Sequence, residues 1–314
     1  MEYDATTAAG SGSAGASVGR GWVGPALVLA SAVMFSFSGI LTKAIDAGSW
    51  TILGWRGVIG GAGIAGYVWF RKGNEPAGAV FRLGWRGWVL AAVGGIGSIT
   101  FIFAFKNTFV ANVSVIYATI PFVAALLERV ILGARIRRRT LGAATASIIG
   151  VVIIVGGSLG SPNLDGDAVA VLMVVLNALY MVLIRTFTGT DSVLASAASG
   201  PLLFAAGWFF ADLLAVDTRD AALLVTFGLV FAAATVLWIE GTKLIPAAES
   251  GLLGSAETPI AIALAWIVLS EVPPLASGIG AIVVLFTIVA HASLDLAAAR
   301  EAPVDPVPLR QPPT

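Results

Sequence analysis

The chain has 314 residues, of which 58% are hydrophobic and 11% are charged, and its formal net charge is zero. An ordinary soluble domain carries about 25% charged residues, so this chain lacks the charges that a water-soluble surface needs. It has no cysteine and one histidine, His291, which excludes disulfides, thiolate zinc sites and multi-histidine metal sites. We therefore expect a helical body in lipid, without a metal, a cofactor or a nucleic-acid partner.

The two ends of the chain differ from its body. Residues 1–21 are rich in Ala, Gly, Ser and Thr and lack a basic segment before an apolar one. This composition predicts a disordered tail and not a signal peptide. Residues 294–314 end in a proline-rich stretch that cannot form a helix, which predicts a second tail.

The body contains ten apolar segments. A helix needs about 20 apolar residues to cross a hydrocarbon core of about 30 Å, and the segments near 22–43, 49–70, 85–105, 108–132, 140–158, 166–187, 193–214, 221–242, 246–269 and 273–293 approach or exceed that length. The sequence therefore predicts an all-α, polytopic integral membrane protein with ten transmembrane helices.

The positions of the basic residues predict an orientation. If the N-terminus is cytoplasmic, most Lys and Arg residues, including the cluster from Arg135 to Arg139, lie on the cytoplasmic side, whereas Lys43, Lys106 and Arg219 lie outside. Loops on the cytoplasmic side of membrane proteins carry the excess of basic residues. We therefore expect both termini in the cytoplasm and the helices in the cell membrane.

The two halves of the body resemble each other. Pro121 precedes Gly142 by the same number of residues as Pro259 precedes Gly280, each pair lying in neighbouring apolar segments. A five-helix unit is odd-numbered, so a second copy enters the membrane from the opposite face. The pattern predicts two inverted repeats, 22–158 and 166–293, with a binding site near the midplane between them.

Two stretches resemble a known family. The segment from Pro259 to Glu271, followed by Gly280, and the segment Gly54-Trp55-Arg56-Gly57 resemble the drug/metabolite transporter superfamily, in particular its EamA-type members. The resemblance covers about 22–293 and implies a secondary transporter that moves a metabolite, an amino acid or a drug-like solute, usually outward. Glu271 has no acidic match in the first repeat, where Gly133 and Ala134 stand at that place.

Two charged side chains lie deep within predicted helices. A charge at mid-membrane costs about 2.5–3.5 kcal/mol on insertion scales, so each needs a compensating role. Glu257 is near the middle of the ninth segment and is a candidate proton or substrate-amine site; the alternative is a permanently protonated acid that bonds a neighbouring helix. Arg56 is expected to pair with a carboxylate, either from the substrate or from the protein.

Uncharged polar and aromatic residues at similar depths extend the candidate pathway. These side chains can line a pathway or hydrogen-bond across helices: Asn177, Tyr180, Tyr117, Asn112, Thr258 and Trp238. Pro121 and Pro259 are candidate helix breaks. Glu128 and Glu240, near predicted cytoplasmic ends, are expected to brace an inner gate by pairing with cations.

Two other functional classes remain open from the sequence. An intramembrane hydrolase would have to combine Ser36, Ser38 or Ser255 with His291, although no nucleophile motif surrounds any of them. A membrane receptor or scaffold would normally carry larger parts outside the membrane than these short connections. The favoured interpretation is a transporter of a small molecule that acts as a monomer or homodimer. Coupling to protons through Glu257 is a hypothesis within this interpretation.

Overall fold

The computed structural model describes residues 22–72, 83–133, 135–136, 138–245, 250 and 253–301. The predicted N-terminal tail and residues 302–314 of the predicted C-terminal tail lie outside the described residues. All regular structure in the described ranges is helical. Its eleven helices are α1 (Val23–Ala44), α2 (Ser49–Lys72), α3 (Gly84–Asn107), α4 (Val110–Tyr117), α5 (Ile120–Leu132), α6 (Arg138–Gly157), α7 (Leu164–Thr186), α8 (Ser192–Phe210), α9 (Thr218–Thr242), α10 (Glu257–Leu269) and α11 (Leu275–Glu301).

Nine of the ten predicted apolar segments coincide with a helix or with the broken pair α4–α5, whereas in the ninth segment, 246–269, the helix α10 covers only Glu257–Leu269. Within the described residues, six helices are long and apolar enough to cross a membrane, and the pair α4–α5, bent by 41°, makes a seventh candidate span. The helix α10 and the 275–291 part of α11 are shorter apolar helices. The last helix continues to Glu301, beyond the predicted end at 293. The chain is therefore a multi-pass, all-helical membrane protein.

The two candidate helix-breaking prolines lie just after breaks. The chain turns at Ala118 and Thr119, and Pro121 is the second residue of α5. It turns again immediately before α10, in which Pro259 is the third residue. The first turn of a helix has no internal partner for its N–H groups, so a proline there costs nothing. We expected Pro259 to interrupt a continuous helix, but it helps to begin one.

Helices α2 and α8 cross at very short range because glycines line their contact. A Cβ atom on Gly207 would lie 2.8 Å from the carbonyl oxygen of Trp50, and one on Gly57 would lie 2.9 Å from the Cβ of Leu203. Trp50, near the start of α2, contacts Gly207 of α8, whereas Gly57, further along α2, contacts Leu203, which comes earlier in α8. The two helices are therefore antiparallel. Small residues permit this approach in the membrane, where close packing and hydrogen bonds hold helices together.

Three further helix pairs are antiparallel by the same criterion. The contacts that define them are Gly94–Tyr180 and Gly97–Asn177 for α3–α7, Val28–Gly241 and Ser31–Ala234 for α1–α9, and Gly150–Val284 and Gly157–Ala276 for α6–α11. By contrast, Ile59 meets Gly228 and Gly63 meets Ala232, so α2 and α9 run parallel. These relations fix the relative directions of the helices around the centre of the molecule.

The α2–α8 contact yields a stability prediction. We expect Gly207→Val to lower the free energy of unfolding by about 1–3 kcal/mol, the usual cost of inserting methyl groups into a packed contact. Thermal denaturation of the purified protein in detergent measures the change. The matched control is Gly142→Val, because a Cβ at Gly142 has no neighbour within 4 Å. Equal stability of the two variants would contradict the close contact.

The three basic residues that were predicted to lie on the external side of the membrane are found at one end of the molecule. They are Lys43, Lys106 and Arg219. The Lys106 ammonium donates a 2.5 Å hydrogen bond to the carbonyl of Ile45, and Arg219 pairs with Asp46 at 2.9 Å. The ammonium of Lys43 forms an ion pair with the carboxylate of Glu271 at 2.9 Å, close to the same turn between α1 and α2. Their clustering agrees with a shared membrane face.

Candidate functional site

A cavity of about 170 Å³ lies between the two halves of the helical body. Five predicted pathway residues line it: Arg56, Tyr117, Asn177, Tyr180 and Glu257. The remaining lining comes from α1, α3, α8 and α9, and consists of Phe35, Ser38, Leu90, Gly94, Gly97, Ser98, Phe101, Ser196, Ser199 and Phe231. The sequence therefore identified the charged residues and most of the larger polar residues of the cavity.

Arg56 contributes a buried, unpaired positive charge. Its side chain comes from α2, is 4% exposed, and donates a hydrogen bond to the hydroxyl of Ser98 on α3. Among the described residues, no carboxylate lies within 4.0 Å of the guanidinium. Its Nε has no hydrogen-bond partner. The protein carboxylate that we considered as its partner is therefore absent from the described part of the chain.

Aromatic rings surround the guanidinium instead. Its Cζ lies 4.5 Å from the ring centre of Phe231, 5.4 Å from that of Phe227 and 5.7 Å from that of Phe101. Cation–π attraction offsets part of the desolvation of such a charge, but it does not neutralise it. The guanidinium keeps donor capacity and a full positive charge for an anionic group in the cavity.

Glu257 contributes a carboxyl group on the opposite half of the protein. It is the first residue of α10, next to the break, and helix N-termini favour negative charge. In the described residues no cation lies within 4.0 Å of its carboxylate. The adjacent Thr258 is buried away from the cavity lining, and its hydroxyl is 3.4 Å from the Ser114 carbonyl of α4.

Neutral polar groups complete one wall of the cavity. The Tyr180 hydroxyl is hydrogen-bonded to Ser196 of α8 at 2.8 Å, and the Asn177 amide donates to the Met173 carbonyl at 2.8 Å. A Cβ atom on Gly97 would lie 3.4 Å from the amide nitrogen of Asn177, so the glycine surface of α3 leaves space for these side chains. Hydroxyls, amide and glycines thus form a polar wall.

The other wall is aromatic. Phe35 of α1 and Phe231 of α9 pack edge to face with ring centres 6.3 Å apart, and Tyr117, the last residue of α4, packs on Phe101 at 6.1 Å. A solute between the two walls meets polar groups on one side and rings on the other. Of the aromatic wall the sequence indicated only Tyr117, and it did not indicate Phe35, Phe101 or Phe231. The serines Ser98, Ser196 and Ser199 were not predicted as part of the site either.

Asn112 lies outside the cavity in a separate buried network. Its amide donates to both carboxylate oxygens of Asp167 at 3.0 and 3.1 Å. The same carboxylate accepts the hydroxyl hydrogen bonds of Thr108 at 2.7 Å and Ser158 at 2.5 Å. Both Asn112 and Asp167 are 0% exposed. This arrangement connects the start of α7 to α4 and to the end of α6, and Asn112 belongs to it and not to the cavity lining.

We expect Asp167→Ala to lower the free energy of unfolding of the protein. The substitution leaves buried donors of Thr108, Asn112 and Ser158 without an acceptor, and each such group costs about 1–3 kcal/mol. Thermal unfolding and the yield of folded protein measure the loss, and Asp167→Asn is expected to be milder. Unchanged thermal stability of Asp167→Ala would contradict a stabilising role for this network.

Three other predicted residues lie away from the cavity lining. A Cβ on Gly254 would lie 2.7 Å from the Trp238 ring, so Trp238 packs beside the chain that leads into α10. Glu128 pairs with Arg185 at 2.5 Å, and Glu240 pairs with Lys243 at 2.8 Å and with Arg71 at 3.6 Å. Both glutamates pair with cations as expected, and their role in a gate stays a prediction.

The histidine considered for a hydrolase, His291, lies away from the cavity lining. Ser38 lines the cavity, whereas the Ser36 hydroxyl donates to the Val33 carbonyl at 2.6 Å. The His291 ring packs on Phe122 with ring centres 5.4 Å apart, and neither residue belongs to the cavity lining. The geometry therefore gives no support to a Ser–His pair at the cavity.

An all-helical membrane protein with a charged cavity between its two halves is the architecture of a class that includes solute transporters. Residues 22–156 match the model of the EamA-like transporter family. The match covers the part of the chain from α1 through α6, which is less than half of its 314 residues. Over these residues the match confirms the resemblance to the EamA-type members of the drug/metabolite transporter superfamily.

Solved structures share the fold. Twenty-four chains match, and one of them, described only as the crystal structure of a protein, has a TM-score of 0.62 at 20% sequence identity. That alignment covers 89% of this chain and 99% of the other. At this identity the likeness shows the fold alone. A comparison with curated proteins found no match.

Proposed function

We propose that the chain is a secondary transporter that moves a small metabolite, an amino acid or amine-bearing drug-like solute, across the cell membrane by alternating access. The observation that carries this proposal is the central cavity, in which Arg56 and Glu257 present unpaired groups from different halves of the protein. Outward movement follows the tendency that the family resemblance implies. Both termini are assigned to the cytoplasm by the distribution of basic residues.

The helix packing supports two inverted five-helix repeats. If the broken pair α4–α5 counts as one span and α10 counts as another, α1 through α6 form the first repeat and α7 through α11 the second. The contacts α1–α9 and α3–α7 then correspond to each other, and α2–α8 and α6–α11 each pair equivalent helices. These equivalent helices run antiparallel, as inversion requires. Such repeats can rock about a site between them.

The two unpaired groups favour a solute with both a carboxylate and an amine. A carboxylate accepts hydrogen bonds from a guanidinium in a well-matched geometry, and a carboxyl opposite it suits an ammonium or a transferable proton. The phenylalanines offer an apolar surface for the rest of the molecule. A solute of this kind neutralises both charges on binding, which offsets their desolvation.

Solute counterflow in proteoliposomes tests the proposal. The panel consists of amino acids, nucleosides, sugars and organic cations, each assayed with and without a pH gradient. We expect saturable exchange of amino acids or of related carboxylate-bearing amines, and little exchange of sugars. Exchange confined to solutes without a carboxylate would contradict the role of Arg56. Absence of exchange across the panel, with folded protein, would count against transport of these classes.

A further inference from the structure

Two ion pairs connect the proposed repeats at matching positions. Lys43 is the next-to-last residue of α1 and pairs with Glu271, just beyond α10, at 2.9 Å. Arg185 is the next-to-last residue of α7 and pairs with Glu128 of α5 at 2.5 Å. In each pair the cation ends the first helix of one repeat, and the carboxylate belongs to the fourth span of the other repeat or lies just beyond it.

The two pairs lie at opposite ends of the molecule. Helix α1 is antiparallel to α9, α9 is parallel to α2, and α2 is antiparallel to α8. The Tyr180–Ser196 hydrogen bond, on either side of the 187–191 connection, shows that α7 and α8 form an antiparallel hairpin. Consequently α1 and α7 run in opposite directions, and their C-terminal ends point to opposite faces.

Both pairs lie at the same distance from the cavity. Ser38 precedes Lys43 by five residues on α1, Tyr180 precedes Arg185 by five residues on α7, and both Ser38 and Tyr180 line the cavity. Five residues of α-helix span ~7.5 Å. Each ion pair therefore lies about one and a half helical turns beyond the cavity, at one of its two ends.

We propose that these are two symmetry-related locks, one for each end of the cavity. Separation of Lys43 from Glu271 opens one end, and separation of Arg185 from Glu128 opens the other. In the structure both pairs are formed, which corresponds to an intermediate in which both ends are held. The inference rests on the proposed transport function, because it assumes that the cavity opens in turn to the two faces.

The two locks differ in strength. The side chains of Lys43 and Glu271 are 24% and 14% exposed, whereas those of Arg185 and Glu128 are 62% and 22% exposed. Glu271 also accepts a 2.8 Å hydrogen bond from the N–H of Val110, the first residue of α4. Exposed pairs contribute little in water, and hydrogen bonds at a helix N-terminus strengthen a carboxylate contact. We therefore expect the Arg185 end to open more readily.

The sequence alone did not show that the two ion pairs are related by the repeat symmetry. At a fixed repeat offset, Gly133 and Ala134 stand opposite Glu271. In the first repeat the equivalent carboxylate is Glu128, one turn before the end of α5, whereas Glu271 follows the end of α10. Long side chains can reach equivalent partners from different positions near the end of a helix. A residue-by-residue alignment of the two repeats therefore does not place Glu128 opposite Glu271.

The natural absence of cysteine permits a direct test. A single reporter, Ser199→Cys, places a thiol in the cavity, and a membrane-impermeant thiol reagent is added to one face of sealed vesicles at a time. We expect Lys43→Gln to raise the reaction rate from the Lys43 face about tenfold and to lower it from the other. Arg185→Gln should raise the rate from the Arg185 face and lower it from the Lys43 face. In the double variant, the ratio of the rates from the two faces should return toward the ratio of the parent.

Two controls separate this effect from unfolding or a general loss of charge. Exchange of the partners, Lys43→Glu with Glu271→Lys, should restore the parental ratio in part, because a lysine at position 271 re-forms the ion pair but cannot accept the N–H of Val110. Arg219→Gln, which removes the ion pair with Asp46 at the same end, should leave it unchanged. Equal changes in the rate of thiol modification from both faces, or no change in either single variant, would contradict the proposal that the two ion pairs close the two ends of the cavity. Because the readout needs no solute, a failed counterflow assay would count against the proposed substrate and not against the locks.

Discussion

Replacement of Arg56 by methionine is expected to abolish high-affinity binding of carboxylate-bearing solutes while leaving the protein at least as stable. The guanidinium is buried, has no carboxylate partner among the described residues and leaves its Nε unpaired. Removal of a buried charge without a partner is neutral or stabilising, whereas removal of one member of a buried ion pair costs about 3–5 kcal/mol. The solute would supply the second member, so the same cost of about 3–5 kcal/mol corresponds to a fall in affinity of roughly 150- to 5,000-fold.

Calorimetric titration and thermal unfolding of the same preparation measure the two effects. The matched control is Arg86→Met, because Arg86 also packs on aromatic rings, with its Cζ 5.6 Å from the Trp85 ring, but does not line the cavity. Arg56→Lys should retain part of the affinity, since it keeps the charge and loses the planar donors. Strong destabilisation of Arg56→Met with unchanged affinity would show that Arg56 is structural.

The Glu257→Gln variant is expected to lose gradient-driven transport and to retain counterflow. Glutamine preserves the shape of the side chain but can neither release a proton nor carry a charge. In an electroneutral exchange of one proton for one solute, each pH unit of gradient supports about a tenfold accumulation, because one pH unit corresponds to about 1.36 kcal/mol. The variant should accumulate no solute under the same gradient.

Accumulation of radiolabelled solute against imposed pH gradients provides the measurement. A solute and its analogue without the amine distinguish the two roles assigned to Glu257. If Glu257 binds the amine, the variant loses affinity for the amine-bearing solute alone. An unchanged pH dependence together with unchanged affinity for both solutes would exclude both roles and leave a protonated acid that bonds a neighbouring helix.

The helical framework was largely predictable from the sequence. A run of about 20 apolar residues has few alternatives to a helix in lipid, because every backbone polar group must be paired within the segment. The positions of the two breaks were only partly predictable. Pro121 and Pro259 marked the affected spans, but proline is compatible with the first turn of a helix, so the breaks fall just before them.

The charged residues of the cavity were predictable for an energetic reason. Arg56 and Glu257 are costly in lipid, and that cost indicated a site. Serines carry no comparable cost because their hydroxyls bond to the carbonyls of their own helix, as Ser199 does to Ser196 at 2.7 Å. Ser98 and Ser199 therefore gave no signal, although Gly94, Ser98 and Phe101 follow the spacing of one helical face.

Helical geometry would have separated Asn112 from Tyr117. The two residues are five positions apart, which places them roughly 140° apart around a regular helix, so they cannot face the same cavity. Their shared depth in the membrane suggested a common role, but their directions differ. Tyr117 faces the cavity, and Asn112 faces Asp167. Polarity and depth define a set of candidates, and direction selects among them.

The most direct test of alternating access uses the single-cysteine variant Ser199→Cys without any further substitution. A membrane-impermeant thiol reagent is applied to either face of sealed vesicles, and the fraction of protein modified is measured by mass. We predict that the thiol reacts to completion from each face, and that modification from one face blocks later reaction from the other. Complete reaction from one face with none from the other would contradict the account, because it would describe a cleft that opens to one side only.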